Sequence, residues 1–224
     1  MIISSSDKLK GAVQRAVVIC CITMLPATLY TSWALMVGDQ DKGVLEWAIK
    51  YGAVGPFDLI KLEDGWRFLC GPMLHANINH LLSNSLLVLL GAAALSMRMD
   101  LAFGCHDQDQ SPINLGLMLC LWQTVSGVMI ALIRFLFDLE SWSIGASGAS
   151  LSTLTLSVTI IALSESKRSK LWRILLVLGP LIISVSQRGA HVDMVSHLIG
   201  VALGVIAALI VDYPKGNAIK DTPS

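Results

Sequence analysis

The chain has 224 residues, 54% of them hydrophobic and only 14% charged, with a mean hydropathy of +0.67. Soluble domains carry about a quarter charged residues, so this composition excludes an ordinary water-soluble core and predicts a polytopic membrane protein. The formal net charge is zero, which offers nothing to nucleic acid or to an acidic partner.

A bilayer core asks for about 20 apolar residues per helix, and six segments supply them. The first covers about 16–37 and contains Pro26 as an expected kink. It is longer than the apolar core of a signal peptide, about 7–15 residues, so it reads as a retained span after a cytoplasmic tail, residues 1–15. The stretch from about 39 to 79 mixes Trp47, Tyr51, Phe57, Trp66 and Phe68 with charges. Amphipathic, aromatic-rich segments settle at the membrane interface, so this outer loop reads as partly sunk in the outer leaflet. A small folded extracellular cap is the alternative. The second span, about 80–99, opens on His80 and Asn84; the third, about 113–135, follows Ser111-Pro112. The fourth, about 147–164, is rich in Ser and Thr, and the fifth, about 171–187, is interrupted by Gly179-Pro180. The sixth, about 194–212, precedes a second cytoplasmic tail, residues 213–224. The expected fold is therefore an all-α membrane protein, with a six-helix domain over 16–212.

Charge sets the orientation. With the N-terminus inside, the inner segments hold Lys8, Lys10, Arg15, Arg98, the cluster Lys167, Arg168, Lys170 and Arg173, and Lys215 and Lys220. The outer segments hold Lys42, Lys50, Lys61, Arg67, Arg134 and Arg188, mostly in the one long loop. Positive charge in short inner loops predicts that both termini are cytoplasmic. The cysteines Cys20, Cys21, Cys70, Cys105 and Cys120 form no Cys-x-x-Cys pair and read as packing residues, with no disulfide frame or metal site.

In that topology the second, fourth and sixth spans all begin on the outer side. His80 and Asn84, Ser147, and His197 then fall at one depth. A serine hydroxyl needs a base to become a useful nucleophile, and His197 is the histidine placed inside a span after Ser147. His197, Gly200 and Gly204 share one helical face, and Gly200 and Gly204 make a Gly-x-x-x-Gly pair, which lets helices approach closely. Gly145, Ala146, Gly148 and Ala149 surround Ser147 with small residues. His80 and Asn84, four apart, point the same way and can donate hydrogen bonds to an oxyanion; alone they read equally well as polar glue between helices. Asp193 reads as the cap of the last helix rather than as a triad acid.

Trp66-Arg67, His75, His80 to Asn84, Gly145-Ala146-Ser147-Gly148, and His197-Leu198-Ile199-Gly200 with Gly204 together resemble the rhomboid intramembrane serine proteases in their basic six-helix form. The resemblance implies Ser147 as nucleophile, His197 as general base, and His80 and Asn84 as oxyanion donors. It implies a leaflet-resting loop carrying Trp66 and Arg67 and held by His75. It also implies transmembrane protein substrates and no cofactor. The compactness of the chain, with no extra domain, points to a bacterial inner membrane as the expected location. Many relatives carry an aromatic residue four after the nucleophile, where this chain has Leu151. A catalytically silent client-binding relative and a sorting protease that trims C-terminal anchors are the alternatives.

Overall fold

A computed structural model describes residues 5–38, 43–54, 62–102, 111–137, 147–164, 178–180, 182 and 194–212. Its helices are α1 (Ser5–Val37), α2 (Val44–Lys50), α3 (Arg67–Cys70), α4 (Ile78–Ala102), α5 (Pro112–Leu136), α6 (Ser147–Ser164) and α7 (Met194–Asp212), with 3-10 turns at Leu62–Asp64 and Gly71–Met73. The protein is an all-α membrane protein. α1, α4 and α5 are long and apolar enough to cross a bilayer, and α6 and α7 contain shorter apolar stretches. The expected fifth span, about 171–187, falls almost wholly outside the described residues, as do Gly145, Ala146, Asp193 and the tail 213–224.

Local chemistry explains the helix starts. The Asn77 side chain accepts the His80 N–H at 2.9 Å, capping α4. The Ser111 hydroxyl accepts the Ile113 N–H at 3.2 Å, and Pro112 takes the first helical position, where no N–H is needed. α1 differs from expectation at its start. It is continuous from Ser5, so the basic segment expected as a tail is itself helical, and Pro26 lies inside the helix without ending it.

α6 is the hub. Its most extensive contacts are with α7 and then α4, while α1 packs on α4 and α5. Ile19, Leu95, Leu119, Leu156 and Ala208 bring α1, α4, α5, α6 and α7 into one apolar cluster. The other four long helices send large apolar side chains outward, such as Leu29, Leu86, Leu121 and Ile206; α6 sends none. Residues 148–159 are buried on every side. In lipid, apolar burial does not drive helices together; close packing and interhelical hydrogen bonds do. The small side chains of α6 are what make that packing possible.

The segment after α1 folds back on it. Trp47, Ala48, Tyr51 and Leu74 pack with Ala34, and the Trp47 indole N–H donates to the Ala34 carbonyl at 3.1 Å. Arg67 ties the segment together. Its Nε pairs with Asp64 Oδ1 at 2.9 Å, and its Nη1 donates to the Ile49 and Ala53 carbonyls while the guanidinium covers Trp66. Gly52 has φ +111°, and a Cβ there would stand 2.8 Å from the Trp66 ring, so backbone and contact both call for glycine. Val44, Leu45, Trp66 and Leu69 remain exposed, the apolar surface an interfacial element needs.

Candidate active site

Two clusters form at the ends of α4, α6 and α7. The first is centred on His75, just before α4. Asn84 Nδ2 lies 3.0 Å from His75 Nε2. An amide nitrogen can only donate, so Nε2 accepts and the ring proton sits on Nδ1, which donates to the Met73 carbonyl at 3.0 Å. Thr31 of α1 closes the cluster: its hydroxyl accepts the His75 N–H at 3.1 Å and donates to the Met73 carbonyl at 3.0 Å. His75 therefore does more than hold the loop. It fastens loop, α1 and α4 together and orients the buried Asn84 amide. The His80 ring meets the His75 ring edge-on, with centroids 5.1 Å apart, and lies near enough to His197 to interact with it electrostatically.

Burial pushes the His75 imidazole from 6.5 down to about 3; the His80 ring adds to the shift and the Met73 carbonyl opposes it. The folded state thus favours the neutral ring, as the hydrogen bond from Asn84 requires. Its contribution to stability is complete above about pH 6.5 and is lost as the pH falls toward about 3, because the unfolded chain binds the proton first. The melting temperature in detergent should fall across that window. His75→Gln should flatten the dependence by one proton, about 1.4 kcal/mol per pH unit at its steepest. An identical slope in the variant would show that His75 does not titrate with unfolding.

The second cluster is a backbone contact between α6 and α7. A Cβ on Gly200 would stand 2.1 Å from the Gly148 carbonyl oxygen, and one on Gly148 would stand 2.6 Å from the Ser196 carbonyl oxygen. A turn further in, a Cβ on Gly204 would stand 2.5 Å from the Ser152 carbonyl oxygen. Real Cβ atoms do not come so close, so three glycines let the two backbones touch. Ser147 precedes Gly148 and His197 follows Ser196, so both flank the tightest part of the contact. His197 is buried, 2% exposed, and Ser147 is partly exposed. Leu151 is fully buried in one apolar cluster with Val201, a turn below His197.

Two features escaped the sequence reading. Thr31 lies within an apolar run, and only the fold brings it to His75. Arg134 was grouped with the outer charges. It is instead buried in the last turn of α5, 3% exposed, with Nη1 3.4 Å from the Ser196 hydroxyl. An arginine inside a predicted span was the available signal. Gly145, expected beside Ser147, lies outside the described residues, as does Asp193.

A family model described as the Rhomboid domain matches residues 62–213, well over half of the chain. No curated protein matches it.

Proposed function

The chain belongs to the rhomboid family, and from that premise we propose that it is an intramembrane serine endopeptidase, cutting peptide bonds in or near transmembrane segments of other membrane proteins. The observation that carries this reading is the Gly148–Gly200 contact, which brings the backbone beside Ser147 against the turn that bears His197. In the proposed reaction Ser147 Oγ attacks the scissile carbonyl while His197 takes its proton. The tetrahedral oxyanion is held by Asn84, His80 and the Ser147 N–H. His197 then returns the proton to the leaving amine, and water, activated by the same histidine, hydrolyses the acyl-enzyme.

Trp66 and Arg67 belong to the loop that rests in the outer leaflet above this site, and both termini face the cytoplasm of a bacterial inner membrane. Neither assignment uses a cofactor. A serine-reactive fluorophosphonate provides the test. The wild-type protein in detergent should be labelled at Ser147, and Ser147→Ala should not be. An unlabelled wild type would favour the silent, client-binding reading.

Asn84→Ala should slow turnover by up to about 10²–10³, the cost of one oxyanion donor, while the folded fraction is kept. A sharp fall in melting temperature with unchanged rate per folded molecule would mean that Asn84 serves only as the structural link between His75 and α4.

A further inference from the structure

We propose that Arg134 is a positioning residue for His197, acting through Ser196; this rests on the reading of His197 as the base. Three elements meet at that point. A Cβ on Gly148 would meet both the Ser196 carbonyl oxygen and, at 2.9 Å, Ile130 Cδ1 of α5. Arg134 is one turn beyond Ile130 on the same face of α5, and its Nη1 donates to the Ser196 hydroxyl at 3.4 Å. Both residues are buried.

His197 sits in the first turn of α7. A first turn lacks half of its backbone hydrogen bonds and frays readily. The glycine contact presses this turn against α6, and a tie from a third helix adds a constraint on its rotation. A guanidinium anchored on a third helix opposes that rotation at the residue next to the base. A cation at this depth is costly in lipid, so a long, planar donor reaching from α5 to α7 is a poor choice for packing alone and a good one for fixing an angle.

The test is the rate of Ser147 labelling by a fluorophosphonate, measured on the full chain in detergent and normalised to folded protein. The limiting rate, kinact, is separated from probe affinity, KI. Arg134→Met should lower kinact by roughly 10², as expected for about 1 Å of misplacement, with KI nearly unchanged. Arg134→Lys, which keeps a donor within reach, should recover at least about tenfold of that loss. Ser196→Ala keeps the buried charge and removes the tie, and should lower kinact about tenfold.

If Arg134→Met cannot be purified folded, Ser196→Ala and Arg134→Lys decide. A merely structural tie lowers the melting temperature and leaves kinact per folded molecule at the wild-type value; that result in Arg134→Met or Ser196→Ala overturns the proposal. Equal losses in Lys and Met overturn it as well. A wild type that fails to label overturns the protease reading itself, a distinct outcome from labelled wild type with indifferent variants.

Discussion

Ser147→Ala and His197→Ala should each reduce cleavage of a transmembrane substrate to background, and the double variant should be no worse than either. The reason is mechanistic coupling. Without the base, Ser147 keeps its proton; without the nucleophile, the base has no proton to take. In serine proteases built this way, losing one member costs about as much as losing all, on the order of 10⁶ in turnover. Whatever rate survives comes from the oxyanion donors and from binding, so it should be shared by all three variants. The measurement is single-turnover cleavage in detergent or bicelles with each variant at equal folded concentration. Losses that multiply across the double variant would mean that Ser147 and His197 do not act on the same proton.

Gly200 should tolerate nothing larger than hydrogen. Gly200→Ala places a methyl group where only 2.1 Å separates it from the Gly148 carbonyl oxygen. The obstacle is backbone, so no side-chain rotation relieves it. α7 must move off α6 by more than 1 Å, and a displacement of that size costs on the order of 10²-fold in rate. The loss should come with a lower melting temperature, because overpacking a tight contact typically costs about 1–3 kcal/mol. Gly204→Ala, against the Ser152 carbonyl, should behave similarly but less severely in rate, since it lies a turn further from Ser147 and His197. Full activity in Gly200→Ala would show that the two helices do not meet at this point in the working protein.

The reason these glycines could be read from the sequence is that the signal is local. Gly-x-x-x-Gly on one helix and small residues on the next are one-dimensional patterns with a direct packing meaning. The extents of α6 and α7 were legible for the same reason, as abrupt runs of apolar residues. The start of α1 was not. A hydropathy window registers where lipid begins, whereas a helix continues into water as far as its hydrogen bonds carry it, here back to Ser5. The contacts of Thr31 and Arg134 were illegible for another reason. Each gains its meaning from a partner tens of residues away, Thr31 from His75 and Arg134 from Ser196. No spacing rule connects them. His75 entered only through the resemblance, as the residue expected to hold the loop; its bond to Asn84 depends on which ring nitrogen is free to accept, which no sequence pattern records.

The burial of α6 on all sides has a consequence for how the protein is made. Ser150, Ser152, Thr153, Thr155, Ser157 and Thr159 all face protein in the finished bundle. During synthesis α6 leaves the ribosome before α7 exists, so for that interval one hydroxyl-bearing flank faces lipid or the insertion machinery. α4 and α5 are already available to cover the other flank, and among the described helices α7 supplies the most extensive cover of α6. A chain truncated directly after α6 would lack the helix against which this hydroxyl-bearing flank packs most extensively.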